Sequence, residues 1–408
     1  MDITITPTAL KGIVTPPPSK SQAHRLLLAA ALAQGESVIS NVALSQDIAA
    51  TIRCLEELGA YIRMDGSTAT VRGMAAGPMS PLRRMALPHL DCGESGSTLR
   101  FLIPVALAVR GGGIFTGHGR LMERPLDPYA RLFREKGISW ERRDGTLTVS
   151  GRLTPGDYPL PGDVSSQFFT GLLFALPLLP GNSRILPTTP LESEDYVAIT
   201  RQAMEAAGVL VPGWEVPGGQ LYHPMRQTVE ADWSQAAFWY AAQLLGSDLV
   251  IAGLHPFSSQ PDARVAGLCQ QLAGRQPDLV IDVSQCPDLF PALALMAAMR
   301  PGLTTRIEGG ARLRIKESDR ISAVVDMLAR LGLSAEEFPD GIRVTGVTSF
   351  VGGADIDCHN DHRIAMTAAI AATRCEKPIT LLGAQCVNKS YPNFWEDYEA
   401  LGGRLTRR

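Results

Sequence analysis

Ser19-Lys20-Ser21-Gln22-Ala23-His24-Arg25-Leu26-Leu27-Leu28-Ala29-Ala30-Ala31-Leu32 runs on through Ala33-Gln34-Gly35 into the strand-like Ser37-Val38-Ile39. A small polar cluster opens a Leu/Ala run, and a glycine precedes the β-branched residues, which is the signature of a capped helix leading into a strand. Beyond Arg25 the helix has no polar stripe, so it is expected to be buried on all sides.

The pattern recurs along the chain. ESGSTLRFLIPVALAVRGG repeats it from Glu94, and DVSSQFFTGLLFALPLLPGNSRI repeats it from Asp163. DWSQAAFWYAAQLLGSDLVI from Asp232, CPDLFPALALMAAMRPGLTTRI from Cys286 and CHNDHRIAMTAAIAATRCEKPITL from Cys358 complete the set. The spacing, roughly 55 to 75 residues, is longer than that of a solenoid but is recognised in the same way. A second, more charged helix is expected after each copy, as at Asp47–Leu58, Asp127–Lys136, Asp195–Ala207 and Asp319–Leu331. Strand, apolar helix, strand, amphipathic helix, strand is an α/β unit. An ordinary doubly wound protein has fewer fully apolar helices, so the expectation is two similar lobes, each with three buried helices inside and sheets outside.

Leu313-Arg314-Ile315-Lys316-Glu317-Ser318-Asp319-Arg320 stands out for its charge. Ile321, Val324, Val325, Leu328 and Leu331 follow at helical spacing, so Ser318 or Asp319 is the expected N-cap. Lys316 and Arg320 are then cations at the positive end of a helix, where the dipole disfavours them. An anion would complete the arrangement, and Glu317 would be the local group able to move a proton.

At 408 residues the chain is long for one core. A hydrophobic fraction of 45% with 19% charged residues is ordinary for a globular protein. A net charge of −3 argues against a general nucleic-acid or anionic-membrane binder, while leaving room for a local basic cleft. Seven cysteines without a C-x-x-C pair suggest reduced thiols rather than a disulfide framework or a zinc site. The start Met1-Asp2-Ile3 lacks a secretory pattern, and no apolar run approaches the roughly 20 residues of a membrane span. A cytoplasmic protein is expected.

The polar helix openings carry the chemistry. Any one of them alone is an N-cap. Together, Lys20-Ser21 with Arg25, Gly96-Ser97 with Arg100, Ser165-Ser166-Gln167 and Asp361-His362-Arg363 combine helix N-terminal amides with hydroxyls or cations, as phosphate and carboxylate binding requires. Arg124 and Lys389 add cations ahead of amphipathic helices. The cations exceed the needs of one phosphate, which points to a substrate pair carrying several negative charges. Acids are fewer. Asp288 behind Pro287 reads more readily as a cap than as a base, and His362 alone reads as structural. No phosphate-binding P-loop, dinucleotide fingerprint or metal-ligand spacing is present.

These residues resemble the 5-enolpyruvylshikimate-3-phosphate synthase family over essentially the whole chain. The matching motifs, in order, are Ser19-Lys20-Ser21 with Arg25, the Gly96 turn with Arg100, Glu123-Arg124-Pro125 and Val164-Ser165-Ser166-Gln167. Ser193 with Tyr196, Pro287-Asp288, Lys316-Glu317-Ser318-Asp319-Arg320, Asn360-Asp361-His362-Arg363 and Lys389 follow. The resemblance implies a two-lobed inside-out α/β barrel in which each lobe holds three βαβαββ units. Residues 20–228 would form one lobe, and residues 1–19 with 229–408 the other, completed by the N-terminal strand, with the active site in the cleft between them.

The resemblance also implies the ligands. Shikimate 3-phosphate would be held by Lys20, Ser21, Arg25, Ser165, Ser166, Gln167, Ser193, Tyr196, Asp288, Arg312 and Lys316. Phosphoenolpyruvate would be held by Lys20, Gly96, Arg124, Gln167, Arg320, Arg363 and Lys389. The 5-hydroxyl would add to the enolpyruvyl carbon, giving a tetrahedral intermediate that loses phosphate. Asp288, alone or with Lys316 or Lys389, would take the hydroxyl proton, and Glu317 would deliver and later remove the methylene proton. Lys20 and His362 complete the candidate catalytic set. No metal or organic cofactor, nucleic acid or membrane is implied, and a monomer is expected.

Several positions depart from the family pattern. Ser97 replaces Thr, Phe101 stands where many members have Pro, and Pro18 replaces Gly. Glu194-Asp195 precede Tyr196 in place of a basic residue, and Arg312 replaces an Asn that contacts the substrate phosphate. Two other readings compete. The same-fold UDP-N-acetylglucosamine enolpyruvyl transferase expects Lys-Asn at Lys20-Ser21 and a reactive Cys in the loop Gly117–Arg124, which has none. A non-catalytic anion-binding protein would tolerate loss of Asp288 or Glu317, and both are present.

Overall fold

Ser19 caps the first helix, its hydroxyl accepting from Gln22 N at 3.4 Å. With no polar stripe to turn outward, the helix is buried from Ala23 to Leu32. The computed structural model describes residues 1–74 and 86–408. Within them the chain divides into two units, a continuous one from Pro18 to Glu230 and a split one of Met1–Pro17 with Ala231–Arg408. Each unit is closed where the chain passes from one to the other. Ser19 N donates to Glu230 O at 2.7 Å in the continuous unit, and Asp232 N donates to Pro17 O at 2.8 Å in the split one.

The continuous unit contains α1 (Lys20–Leu32), α2 (Gln46–Leu58), α3 (Gly96–Arg110), α4 (Asp127–Glu135), α5 (Ser166–Ala175) and α6 (Asp195–Ala206). α1, α3 and α5 are buried almost throughout, whereas α2, α4 and α6 each keep an exposed face. Strands such as Thr68–Arg72 bury alternate residues, Ala69 and Val71, in the same core as Leu27 and Ala30 of α1.

The middle repeat is a complete βαβαββ unit. His89–Asp91 and Gly112–Thr116 run parallel on either side of α3, and Ser139–Arg143 and Thr146–Ser150 form the closing hairpin. The first repeat borrows its opening strand. Arg226–Thr228 pairs parallel with Glu36–Ser40, aligning Arg226 with Val38. The repeats therefore close on themselves, and the third sheet has only three strands.

α3 and α5 approach closely for a covalent reason. Pro104 has no N–H to give to Arg100 O. Gly171 of α5 packs against that carbonyl, where an added Cβ would lie 2.5 Å from Arg100 O and 2.5 Å from Tyr129 Oη. Only glycine fits there.

The split unit repeats the plan with α7 (Trp233–Leu244), α8 (Val265–Ala273), α9 (Phe290–Ala298), α10 (Arg320–Arg330), α11 (His362–Ala371) and α12 (Phe394–Ala400). α7, α9 and α11 are the buried members. Leu279–Asp282, Thr304–Glu308, Ala335–Phe338 and Gly341–Thr345 with α9 and α10 form the complete repeat. The N-terminal strands belong here. Ile3–Thr6 inserts between Ile379–Leu382 and Arg404–Arg407, with Ile3 opposite both Leu381 and Arg407. Lys11–Val14 pairs parallel with Asp248–Ile251. Among the described residues, no helix is long and apolar enough to cross a membrane.

Candidate active site

Most of the sequence-predicted residues stand at helix openings, in two groups. In the continuous unit the openings of α1, α3 and α5 carry Ser19, Ser95 and Ser165 as caps. A buried hydroxyl chain ties the first two openings together. His24 Nδ1 lies 2.7 Å from Thr51 Oγ1, Thr51 Oγ1 lies 2.6 Å from Thr98 Oγ1, and Thr98 donates to Ser95 Oγ at 2.8 Å. Burial, with Lys20 and Arg25 close by, keeps the His24 imidazole well below its ordinary pKa and so neutral.

Arg25 is the unusual cation. Its side chain donates to Thr200 Oγ1 at 2.8 Å, Ser21 O at 2.7 Å and Thr170 Oγ1 at 3.4 Å. Among the described residues it meets no carboxylate. Burial pulls its pKa down to about 10, with only Tyr196 opposing. Phe101, a departure from the family pattern, helps to hold it: the guanidinium carbon lies 5.0 Å from the Phe101 ring centre and 6.0 Å from that of Tyr196. A desolvated cation held by hydroxyls and rings is a ready anion receptor. Lys20 differs, since its ammonium is 2.8 Å from Asp47 Oδ2, a partner the sequence reading missed.

Gly96 lies under three functional side chains. A Cβ there would come within 2.8 Å of Arg124 Nη1, 3.5 Å of Gln167 Oε1 and 3.6 Å of Arg100 Nη1. Arg124 itself is buried. Ser165 Oγ accepts from Gln167 N at 3.3 Å, Ser166 is buried beside it, and the buried Ser193 takes a left-handed turn at φ 57° before Tyr196.

In the split unit Arg320 is the hub. Nε donates to Asp361 Oδ2 at 2.8 Å, Nη2 to Glu317 Oε2 at 2.7 Å and Nη1 to Asp288 Oδ1 at 2.8 Å. Asp288 also takes Arg363 Nη2 at 2.9 Å, and Lys316 Nζ stands 3.9 Å from it. Asp361 additionally accepts from Ser318 Oγ at 3.0 Å and caps α11 through Arg363 N. Burial disfavours each of these charges, but the opposite charges win. The carboxylates hold Arg320 above its usual pKa, and Arg363, Lys316 and Arg320 hold Asp288 well below the usual carboxylate range. Lys316 goes the other way, pulled down by burial to about 8 despite Asp288.

Two expectations change here. Asp288 is not a cap: neither Pro287–Leu289 nor α9 has a side-chain cap, and the carboxylate turns instead to the cations. The cations around Arg320 do not wait for an external anion alone, because Glu317, Asp288 and Asp361 already surround the guanidinium. Asp319, of the two candidates, caps α10 by accepting from Ser322 N at 3.2 Å. Arg312 donates to Ser284 O at 2.7 Å, Lys389 Nζ donates to Asn360 O at 2.6 Å, and the buried His362 has Nδ1 4.0 Å from Asp361 Oδ1. Among the described residues, no cluster of His, Cys, Asp or Glu could hold a metal ion.

Repeated buried helices whose openings gather buried guanidiniums, hydroxyls and carboxylates define an α/β protein equipped for anions and for proton transfer. The chain belongs to the EPSP synthase (3-phosphoshikimate 1-carboxyvinyltransferase) family, whose model matches residues 5–398. It is 41% identical over 425 residues to the 3-phosphoshikimate 1-carboxyvinyltransferase of Clostridium perfringens (strain 13), covering 99% of each chain. It is 40% identical over 426 residues to that of Clostridioides difficile (strain 630), covering 98% of this chain and 97% of the relative. The solved EPSP synthase of Acinetobacter baumannii superposes with a TM-score of 0.78 at 26% identity, over 100% of both chains.

Proposed function

We infer that the chain transfers the enolpyruvyl group of phosphoenolpyruvate to the 5-hydroxyl of shikimate 3-phosphate, releasing phosphate by addition and elimination. The observation that carries this reading is the sharing of one buried guanidinium, Arg320, by Glu317 and Asp288. Arg320 sets a proton donor and a proton acceptor in fixed relation while supplying positive charge for a phosphate leaving group. The UDP-N-acetylglucosamine alternative is not favoured, since the family match is to EPSP synthases.

The roles follow from chemistry. Glu317 protonates the methylene carbon and removes that proton again in the second step. Asp288 receives the hydroxyl proton, but with Arg320 and Arg363 on its oxygens it is a weak base. An anionic substrate that draws Arg363 and Arg320 toward itself leaves Asp288 more basic, so substrate binding and base strength are coupled. Lys316, whose pKa is already lowered to about 8, shares the proton. Arg320, Arg363, Lys389, Arg124, Lys20, Gly96 and Gln167 serve phosphoenolpyruvate. Arg25, Ser21, Ser165, Ser166, Ser193 and Tyr196 serve shikimate 3-phosphate, with Arg312 providing a guanidinium where the family pattern has an amide. Lys20, Gln167, Asp288 and Lys316 contact it as well, and His362 supports Asp361.

We read the protein as cytoplasmic, in keeping with seven free thiols, and as working as a monomer. The test is phosphate release from phosphoenolpyruvate, with and without shikimate 3-phosphate. Release only with both supports the reading. Release without shikimate 3-phosphate, or none with both, sinks it.

A further inference from the structure

Gln167 offers an oxygen at one end of its amide and two N–H groups at the other, and the end that faces substrate decides what it can bind. Arg100 settles the choice. A guanidinium only donates, and Arg100 Nη1 lies 2.8 Å from Gln167 Oε1, so the amide oxygen is turned toward α3. Nε2 in turn donates to Ser97 Oγ at 3.0 Å, and Oε1 is the amide atom beside Gly96, 3.5 Å from where a Cβ there would lie. The second N–H of Nε2 meets no partner among the described residues. Arg100 is itself fixed, for Nη2 donates to Pro125 O at 3.1 Å and the guanidinium lies 5.1 Å from the Phe168 ring centre.

We propose that Arg100 is a positioning residue that locks the Gln167 amide, so that its N–H groups and not its oxygen meet the oxygens of the anionic substrate. The proposal rests on the reading of Gln167 as a substrate ligand. Without Arg100 the amide can rotate by half a turn at nearly constant shape, presenting Oε1 to a phosphate or carboxylate oxygen that it repels. Ser97 reinforces the direction, because its oxygen accepts from Nε2 and its own proton is left to point elsewhere. The departure from Thr to Ser at this position keeps the hydroxyl on which this bond depends.

A double-mutant cycle tests this, reading KM for phosphoenolpyruvate at saturating shikimate 3-phosphate together with kcat and Tm. Arg100→Met should raise KM about tenfold in the otherwise unchanged protein, as expected for loss of a charge-assisted bond. In a Gln167→Ala background the same change should cost less than about twofold, because Arg100 then has nothing to orient. Arg100→Lys keeps a buried cation that can only donate, so it should fold with a Tm near the parent's and raise KM less than Arg100→Met does. Gln167→Glu keeps the pairing with Arg100 but has no N–H, and should bind phosphoenolpyruvate as poorly as Gln167→Ala. Equal effects of Arg100→Met in both backgrounds, or normal binding by Gln167→Glu, overturn the proposal. If Gln167→Ala leaves KM for both substrates unchanged, the ligand reading of Gln167 has failed and the positioning role falls with it.

Discussion

Arg320 Nε stands 2.8 Å from Asp361 Oδ2, with 2% of the Arg320 side chain and none of the Asp361 side chain exposed. Desolvating both groups is costly, so the pair persists only with further bonds around it: Arg320 also donates to Glu317 and Asp288, and Asp361 also accepts from Ser318 Oγ and Arg363 N. Asp361→Asn keeps the shape and removes the charge. Glu317 and Asp288 remain on the guanidinium, so the loss should be about 3 kcal/mol, the low end for a broken buried pair. The folded pKa of Asp361 is lowered, mainly by Arg320 working against burial. Its stabilisation is therefore present above the unfolded value of about 3.9 and is lost as pH falls through the folded one. Urea midpoints of parent and variant should differ steadily from pH 7 to 5 and converge in stronger acid. A gap independent of pH would rule out the charge as its source.

Glu317→Gln isolates proton transfer from geometry. The Gln oxygen can still accept from Arg320 Nη2, which lies 2.7 Å from the native carboxylate. Losing the proton carrier should lower kcat on the order of 10² to 10⁴-fold, with shikimate 3-phosphate affinity changed little. Near-normal kcat would remove Glu317 from the mechanism.

The buried helices were legible in the sequence because an all-apolar helix with a capping residue needs no tertiary knowledge to recognise. Ser19, Ser95 and Ser165 cap in the structure as single-residue chemistry dictates. Pairings across the chain were not legible. Asp361 was visible as the start of a helix, but its bond to Arg320 spans 41 positions, and that of Arg100 to Gln167 spans 67. Asp288 reads locally as a cap because local propensity cannot see the cations that arrive from two other helices. The strand Arg226–Thr228 is only three residues of mixed character, and its partner at Val38 lies far upstream. Such contacts depend on closure of the whole unit, which no local pattern records.

Lys316 gives a proton-linked signature of binding. Burial lowers its pKa to about 8, so the free protein holds it roughly half-charged at pH 8. The phosphate of shikimate 3-phosphate would favour the charged form and raise the pKa, so binding at that pH should take up roughly half a proton. Near pH 6.5 the group is already charged and uptake should vanish. Titration calorimetry in buffers of different ionisation enthalpy measures this directly, and Lys316→Met should abolish it. Buffer-independent heats at pH 8 would show that Lys316 does not meet the phosphate.

Gly96→Ala should separate the two substrates. The added Cβ would lie 2.8 Å from Arg124 Nη1, closer than carbon and nitrogen can approach without a bond. What it meets is the end of a flexible side chain, and Gly96 has no positive φ, so Arg124 should move while the fold stays put. Tm should change little. Phosphoenolpyruvate should lose its bond to a displaced guanidinium, and KM should rise by about tenfold or more, as a charge-assisted bond of about 1.5–3 kcal/mol implies. Arg124→Ala, which deletes the same group without the clash, should show a similar loss. Shikimate 3-phosphate alone should keep its affinity within a few-fold in both variants, because Arg25 is held separately by Thr200 and Thr170. If calorimetry instead shows that affinity collapsing, Arg124 belongs to the shikimate phosphate and its assignment to phosphoenolpyruvate is wrong.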